Sequence, residues 1–461
     1  MLTEEFRRHG HEVIDTVADY LHALGDGPVW RPTPEDARRA LTEDVLPEHG
    51  RAFSELLEFM RTTVLPHPFG NGHPRFFAWG NPRPALEGVL ADVVASAMNP
   101  SCAGGDHAAI HLERCTTRWL ASLVGFPGDG VLVSGGASAG LTALAAARHR
   151  AAIVDGWDDL VDGCTHEAAA RLVLYASRET HSCQPKAARL LGLGDRAVRA
   201  VPVDATGRMD VQALAETTAR DRIAGLRPFC VVATAGTVNT GAVDELDAIA
   251  DVCERERTWF HIDGSLGGFG MLDETRRHLF HGLERADSVS LDPHKWLSVP
   301  VDCAALLVKR LDDLRDAFSL VPPYLRSAPG EMWFSEYVPD QTRPFRALRL
   351  WATIAGAGVE GLRMQVTRSN DHAERLAEQI ARTPSLELCA RPSLHVVAFR
   401  VRDRDDDAHR EIAWRIRTTS DVFLTGTRIG DREALRACFM NTATRDDDVD
   451  RIVPAVLAAA A

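Results

Sequence analysis

Apolar side chains near the start of the chain recur at intervals of three and four residues, the spacing of one helical face. The apolar positions within residues 3–25 are Phe6, Val13, Ile14, Val17, Tyr20, Leu21 and Leu24. The pattern ends at Pro28, and a second helical stretch is predicted near 51–64. Helices with one apolar face need a surface to pack against. We therefore expect residues 1–75 to form an N-terminal helical segment that contacts a partner subunit.

From about residue 115, short apolar runs alternate with helical stretches. The predicted strands are 131–133, 229–233, 259–262, 288–291 and 304–308. Buried strands separated by helices predict an α/β fold with a mostly parallel central sheet flanked by helices. We assign this large domain to residues 76–344.

The pattern changes again in the last quarter of the chain. A long helical stretch is predicted over residues 343–382, followed by strands at 396–401 and 435–440. This order of elements predicts a small C-terminal α+β domain over residues 345–461.

Composition and charge exclude several classes of protein. The 461 residues are 45% hydrophobic and 25% charged, and the formal net charge is −13, which suits a folded globular chain. Lys and Arg form no basic stripe, which argues against nucleic acid or an anionic membrane as a partner. Neither a signal peptide nor a membrane span is predicted, so we expect a cytoplasmic protein. The nine cysteines have no metal-binding spacing, and we expect no metal site.

A glycine-rich turn, SGGAS at 134–138, joins the first predicted strand to a helix. Glycine lets the backbone approach a ligand closely, and a helix start offers unpaired N–H groups that attract phosphate. Such turns are also common for purely structural reasons, so this motif supports a phosphate site only in combination with other motifs.

Two ionisable residues lie at or just beyond the ends of predicted strands. Asp263 suits either a helix cap or the acidic partner of a protonated ring nitrogen. The Coulomb energy between a carboxylate and such a ring about 3 Å away is roughly 5 kcal/mol at an effective dielectric constant near 20. Lys295, between His294 and Trp296, is poorly explained as a surface charge and suits an amine that forms a Schiff base. Ligands gather at this end of parallel strands.

Several short sequence motifs are spread over nearly the whole chain. They are HPRFFA at 73–78, SGG at 134–136, YAS at 175–177, HS at 181–182, KAA at 186–188, ATAGTVNTGA at 233–242, HID at 261–263, LDPHKWL at 291–297 and TRPFRALR at 342–349. Together and in this order, they resemble the group II pyridoxal-phosphate-dependent amino-acid decarboxylases, which include aromatic-L-amino-acid, histidine and glutamate decarboxylases.

The resemblance implies the fold type I architecture of enzymes that use pyridoxal 5'-phosphate (PLP). It further implies decarboxylation of an L-amino acid through a Schiff base on Lys295 and a quinonoid carbanion. Asp263 would pair with the pyridine nitrogen and His181 would stack on the ring. The other residues implied around the cofactor are Gly136, Ala137, Ser138, Thr237, Ser265, Asp292 and His294.

The sequence departs from the family in two places that bear on the fate of the carbanion. The run GSLGG at 264–268 replaces AAYGG, which adds the Ser265 hydroxyl and removes a phenol. The stretch 324–342 looks shorter than the family's mobile loop, whose tyrosine protonates the carbanion. Tyr337 is the nearest catalytic candidate, and packing at a domain or subunit boundary is the other interpretation of this residue.

Three alternatives to simple decarboxylation therefore stay open. The same scaffold could carry out decarboxylation-dependent oxidative deamination to an aldehyde or β-elimination from a cysteine conjugate. A protein that has lost catalysis and acts as a binding partner is the third, although Lys295, Asp263 and His181 argue against it.

The substrate pocket is the least determined part of the site. Family position suggests as substrate-binding residues Trp79, Asn81, Arg83, His107, Trp333 and Phe334. The segment after Phe77 is shorter and more polar than in aromatic decarboxylases, so a purely aromatic substrate is not predicted. Weaker candidates for binding a carboxylate are Arg343, Arg346 and Arg436. The family also implies a homodimer with the active site at the subunit interface.

Overall fold

Seven strands form the central sheet of the computed structural model, which describes residues 2–321 and 331–461. The strands are β1 Asp129–Val133, β2 Leu172–Ser177, β3 Val198–Val201, β4 Arg227–Thr234, β5 Trp259–Asp263, β6 Ser288–Leu291 and β7 Ala304–Val308. Their order is β1-β7-β6-β5-β4-β2-β3. Strand β7 runs antiparallel to β1 and β6, and the other four pairs are parallel. The predicted mostly parallel sheet is confirmed.

The strands are apolar because helices cover both faces of the sheet. Every residue of β2, β5, β6 and β7 is buried. Strands β2 and β3 are absent from the five runs predicted by sequence. Strand β3 lies at the sheet edge and is mostly half-exposed, which explains its weak apolar signal.

The first four helices lie before residue 100. They are α1 Leu2–Ala23, α2 Glu35–Thr42, α3 Phe53–Phe59, which continues as a π-helical turn over Met60–Val64, and α4 Leu86–Met98. The helices predicted at 3–25 and 51–64 are confirmed. Among residues 2–321 and 331–461, the helices are too short or too polar to cross a bilayer.

Eight further helices lie before, between and after the strands of the sheet. They are α5 Ala108–Leu123, α6 Gly136–Val154, α7 Asp159–Asp162, α8 Cys183–Leu190, α9 Val211–Ile223, α10 Leu246–Glu256, α11 Pro293–Trp296 and α12 Asp312–Phe318. Helix α6 packs against β4 to β7. Its buried Ala143, Ala146 and Ala147 have small side chains, which let the helix lie close to the sheet.

The C-terminal part forms a second, smaller layer. Its elements are α13 Arg346–Ala381, β8 Leu386–Leu388, β9 Val396–Val401, α14 Asp406–Thr419, β10 Thr425–Ile429, β11 Arg432–Cys438, α15 Asp446–Asp450 and α16 Ile452–Ala460. The strands form an antiparallel sheet in the order β10-β11-β9-β8. Helix α13 is interrupted at Gly358, whose φ of 64° is accessible to glycine.

The segment that enters the large domain is anchored on this smaller layer. The Phe77 amide donates to Phe423 O, and the Cys438 amide donates to Phe77 O. The Phe77 side chain packs in the core of the small sheet, although the sequence placed it at the start of the large domain. The residues after Phe77 therefore run from the small layer toward the ends of the central strands.

Candidate active site

A cleft opens where the central strands of the large sheet end and α6 begins. It is lined by Gly136, Ala137, His181, Cys183, Thr234, Gly236, Val238, Asp263, Ser265, Leu266, Asp292 and Lys295. Asp263 is the last residue of β5, and Asp292 directly follows β6. The topology therefore gathers these distant side chains at the carboxyl ends of parallel strands, where α/β proteins bind ligands.

The start of α6 forms one wall of the cleft. A Cβ atom on Gly136 would collide with Ser265 Oγ, so only glycine fits there. Next to it, Ser134 Oγ and Ser138 Oγ are 2.8 Å apart. The first N–H groups of a helix have no partner within the helix, and they carry partial positive charge. This wall is suited to bind a phosphate group.

Lys295 lies in the single turn of α11, and Asp292 is the N-cap of that turn. The Lys295 Nζ atom is 2.9 Å from Asp292 Oδ2. Burial lowers the pKa of Lys295, but the charge and hydrogen bond of Asp292 and the charge of Asp263 outweigh it and raise that pKa above its usual value. The free amine is therefore held as an ammonium ion.

His294 is oriented by the chain that follows it. Its Nδ1 atom is 2.6 Å from the Cys303 carbonyl oxygen and 3.3 Å from the Cys303 amide nitrogen. The shorter contact requires a proton on Nδ1, because a carbonyl oxygen can only accept. Its Nε2 atom is 3.9 Å from Asp292 Oδ2. His294 thus packs beside Asp292, close to the phosphate-binding wall.

Asp263 is buried and ionised. Its Oδ1 atom accepts hydrogen bonds from the Ser265 amide at 3.1 Å and from Ser290 Oγ at 3.0 Å. Burial raises the pKa of Asp263, but hydrogen bonding by Ser265 and the charge of Lys295 outweigh burial and bring the pKa below its usual value. A buried carboxylate of this kind attracts a cationic group in the cleft.

The His181 ring lies at the cleft with its orientation set by the start of α8. Its Nδ1 atom accepts a hydrogen bond from the Cys183 amide at 3.2 Å. In the neutral ring the proton is therefore on Nε2.

Thr237 lies in the turn after β4, between two residues that line the cleft, Gly236 and Val238. Its hydroxyl is 2.8 Å from Thr240 Oγ1 and accepts from the Ala242 amide at 3.1 Å. Thr237 thus shapes the turn, and its predicted place beside the cofactor ring stays a prediction.

The structure divides the predicted substrate-binding residues into two groups. Trp79, Asn81 and Arg83 lie on the segment that passes Lys295, where a Cβ on Gly80 would be 3.1 Å from Lys295 Cγ. The Trp79 ring stacks on Phe69 at 5.5 Å and joins an aromatic cluster with Phe76 and Phe423.

The second group lies at α5. His107 is the N-cap residue of that helix, and Trp333 packs against Gly104. Phe334 is fully buried, and the Arg343 guanidinium lies over its ring at 4.8 Å. The structure therefore places Phe334 in the core, and substrate contact by His107 and Trp333 stays a prediction.

Tyr337 is half-buried and packs against the main core. The neighbouring Glu336 forms an ion pair with Arg315 at 2.8 Å. Within the described part of the chain, Tyr337 is not among the residues that line the cleft. The beginning of the predicted loop, 324–330, lies outside the described residues.

The three arginines considered for carboxylate binding have partners within the chain. Arg343 pairs with Glu113 at 2.5 Å, Arg346 pairs with Asp302 at 2.9 Å, and Arg436 donates to backbone carbonyl oxygens. All three are buried. Each of them joins elements of the fold.

Sequence reasoning missed three residues that contact Asp263, namely Cys183, Gln184 and Ser290. Cys183 and Gln184 begin α8, directly after the HS motif. Ser290 alternates with Ser288 along β6, so both point to one side of the strand. The alternation was readable in the sequence, but the pairing of β5 with β6 was not.

Residues 34–402 match the family model described as the pyridoxal-dependent decarboxylase conserved domain. The chain belongs to this family. Aromatic-L-amino-acid decarboxylase from Bacillus atrophaeus is 31% identical over 99% of this chain and 96% of its own length. Phenylacetaldehyde synthase from Arabidopsis thaliana is 26% identical over 97% of this chain and 94% of its own. The structure of Oryza sativa TDC with PLP and tryptamine has a TM-score of 0.93 and 27% identity, and covers 99% of this chain and 98% of that one.

This pyridoxal-dependent decarboxylase is therefore a fold type I enzyme that uses PLP to decarboxylate an L-amino acid. The predicted family, fold, cofactor and reaction class are confirmed.

The described residues of the cleft fit this cofactor. Two polar atoms on its wall, Asp292 Oδ1 and Thr234 Oγ1, are buried and have no hydrogen-bond partner among those residues, whereas buried polar groups normally have one. Gly136 leaves room beside the first N–H groups of α6, which suit the phosphate group. An amine, a carboxylate and an imidazole border the remaining space.

Proposed function

We propose that Lys295, Asp263 and His181 are the catalytic residues of this decarboxylase and that the cleft between them holds PLP. The convergence of these three side chains on the start of α6 carries the proposal. Bound PLP supplies an electron sink for the electrons that remain when the substrate carboxylate leaves.

Each residue of the site has a separate task. Lys295 must lose a proton and separate from Asp292 before its amine can act as a nucleophile. Asp263, held ionised, stabilises a proton on the ring nitrogen. The His181 imidazole covers the cleft, excludes water and donates a hydrogen bond into the cleft from its Nε2–H.

Trapping the cofactor on the protein tests the role of Lys295. Borohydride reduction followed by peptide mass spectrometry should locate PLP on Lys295, and Lys295→Ala should abolish both the adduct and the release of CO2. Lys309→Ala, at an exposed lysine, is the matched control and should keep both. An adduct on another lysine in the native enzyme would show that the assignment is wrong.

The sequence alone does not predict a purely aromatic substrate, but we propose an aromatic L-amino acid because of the relatives and the lining of the cleft. Relatives over nearly the whole chain carry the names aromatic-L-amino-acid decarboxylase and tryptophan decarboxylase. The cleft adds apolar walls at Leu266 and Val238, and Trp79 lies on the segment that passes Lys295. A screen for CO2 release should favour L-tryptophan, L-tyrosine or L-phenylalanine over L-glutamate and L-2,4-diaminobutyrate. Preference for an acidic or a diamino substrate would contradict this class.

Aldehyde formation is a second candidate function. Tyr337 packs beside the Arg315–Glu336 ion pair rather than on the cleft of its own chain, and one relative is named phenylacetaldehyde synthase. An oxygen electrode and product analysis separate the two outcomes. Amine and CO2 without oxygen uptake indicate simple decarboxylation, whereas aldehyde, ammonia and peroxide with oxygen uptake indicate oxidative deamination.

We also propose a homodimer that forms through α4. Five apolar side chains on this helix are each about half exposed: Leu86, Leu90, Val93, Val94 and Met98. Their spacing places them on one helical face, and exposed apolar patches of this kind mark interfaces. The helix follows the segment that carries Trp79 and Arg83. A second copy on this face would therefore lie beside the substrate-binding region.

A further inference from the structure

The two oxygens of the Asp263 carboxylate have different surroundings. Oδ1 accepts hydrogen bonds from the Ser265 amide at 3.1 Å and from Ser290 Oγ at 3.0 Å. The contacts of Oδ2 within the described chain are longer, 3.4 Å to Gln184 Nε2 and 4.0 Å to Cys183 Sγ. One oxygen is therefore held by the protein, and the other can accept a short hydrogen bond from a ligand in the cleft.

Each serine hydroxyl has one proton to donate, and this determines which of Ser265 and Ser290 is the donor in the contact between them. Ser290 Oγ is 3.1 Å from Ser265 Oγ and 3.0 Å from Asp263 Oδ1. An ionised carboxylate can only accept, so Ser290 donates its one hydroxyl proton to Asp263. Ser265 must then donate to Ser290. The result is a chain of two hydroxyl donors that ends on the carboxylate.

This chain is enclosed by protein. Ser290 is fully buried on β6, and Ser265 is 9% exposed at the wall of the cleft. In such surroundings a hydrogen bond is stronger than in water, and each bond of a chain polarises the next. Both hydroxyls therefore act on the charge of Asp263 without competition from solvent.

We propose that Ser265 and Ser290 are positioning residues that keep a proton on the ring nitrogen of bound PLP, because they hold Asp263 ionised and turned toward it. This inference rests on the proposed function, in which Asp263 faces that nitrogen. The carboxylate and the nitrogen share one proton, and hydrogen bonds to a carboxylate stabilise its charged form. Each hydroxyl donor thus leaves the shared proton on the nitrogen, where it strengthens the electron sink.

The Ser265 hydroxyl has an alternative acceptor in the cofactor phosphate. Ser265 Oγ lies beside the first turn of α6, at the place that a Cβ on Gly136 would occupy. A hydroxyl that donates to phosphate is no longer available to Ser290, since it has one proton. The hydrogen-bond chain assigns that proton to Ser290, so Ser265 should contribute little to cofactor affinity.

Holoenzyme loaded with isotope-labelled PLP tests the chain in the variants Ser265→Ala and Ser290→Ala. The NMR chemical shift of the ring nitrogen reports its protonation independently of turnover. We expect the shift to move toward that of neutral pyridine, further in Ser290→Ala, whose lost hydroxyl touches the carboxylate. The loss of one hydrogen bond to a charged group should lower kcat about tenfold in Ser290→Ala and about threefold in Ser265→Ala. KM and the dissociation constant of PLP should stay within about twofold.

Ser369→Ala is the matched control, because Ser369 is also buried and its hydroxyl donates to the Gln365 carbonyl within α13. It should leave the ring-nitrogen shift and kcat unchanged. Asp263→Asn gives the limiting shift of a ring without an acidic partner. If Ser290→Ala does not fold, as judged by thermal melting, Ser265→Ala decides the test, since it keeps the backbone donor to Asp263.

Wild-type ring-nitrogen shifts in both serine variants would overturn the proposal. A large loss of PLP affinity in Ser265→Ala with no change in that shift would also overturn it and would assign the hydroxyl to the phosphate. A wild-type protein that binds no PLP would overturn the proposed function as well, which separates the two failures.

Discussion

At the scale of the residue, we expect the ion pair between Lys295 and Asp292 to control how the enzyme acquires its cofactor, given the proposed role of Lys295. The two side chains are 2.9 Å apart, and Asp292 raises the pKa of Lys295 despite burial. A Schiff base forms from the neutral amine, so a raised pKa slows the reaction at low pH. Asp292, which contacts the lysine, should therefore also make loading dependent on pH.

The rate of cofactor loading should rise with pH, and Asp292→Asn should shift this rise to lower pH. The shift follows because removal of the carboxylate lowers the pKa of Lys295. Stopped-flow absorbance at saturating PLP measures the rate across the pH range. Asp340→Asn, at an exposed carboxylate, is the control and should leave the profile unchanged. A profile of Asp292→Asn that coincides with wild type would contradict this role.

Gly136 and Gly135 offer a matched pair at the phosphate-binding wall. Gly136→Ala should weaken PLP binding by about 1–3 kcal/mol, the usual effect of overpacking, because the added methyl group collides with Ser265 Oγ. A methyl group on Gly135 meets no atom within 4 Å, so Gly135→Ala should have a much smaller effect. Equilibrium dialysis of the unloaded protein measures both, and equal losses would count against this account of the wall.

At the scale of the element, one buried arginine joins the segment before α13 to two parts of the large domain. Arg343 pairs with Glu113 of α5 at 2.5 Å and donates to the carbonyl oxygens of Cys102 and Leu132. Both charged side chains are almost completely buried. The pair therefore fixes the residues that lead out of the loop near Tyr337 against β1 and α5.

Arg343→Met should lower the free energy of unfolding by about 3–5 kcal/mol, because it leaves the Glu113 carboxylate buried and unpaired. The double variant Arg343→Met/Glu113→Leu should recover part of this loss, since it removes the unpaired charge as well. Arg382→Met, which removes an exposed pair with Glu378, should change stability by less than about 1 kcal/mol. Urea denaturation measures all three. A double variant less stable than Arg343→Met would contradict the electrostatic explanation.

Helices and strands differ in how clearly the sequence predicts them. The fully buried strand β7 appears as a continuous apolar run, because helices cover both faces, whereas two serines interrupt the equally buried β6. Strand β3 is half exposed at the sheet edge and gives no such run. Helix α6 is buried almost all round, so it lacks the polar face that marks a surface helix.

At the scale of the whole molecule, the apolar face of α4 predicts assembly. Leu90→Asp and Val94→Asp should convert the dimer to monomers, because each places a charge where an apolar side chain would be buried, an exchange of at least about 1.5 kcal/mol. Multi-angle light scattering measures the mass, and activity should fall with dissociation. Val161→Asp, at an exposed valine on α7, is the control. A wild-type protein that is monomeric and fully active would refute the homodimer.

The sequence by itself determined the chemistry of this protein. The lysine, aspartate and histidine of the candidate site lie in short contiguous motifs around Lys295, Asp263 and His181. Such motifs can be recognised from the sequence alone. The α/β pattern was equally accessible, because burial on both faces leaves continuous apolar runs in the chain.

Only the tertiary structure decided the partners of these residues. Ser290 reaches Asp263 because β6 pairs with β5, and Arg343 meets Glu113 across 230 positions of sequence. The same arrangement places Phe334 in the core and Tyr337 beside Arg315 rather than on the cleft. Contacts between residues far apart in sequence depend on strand order and packing, which no local pattern encodes. The candidate site residues could therefore be identified from local motifs, whereas the contacts that set their charges could not.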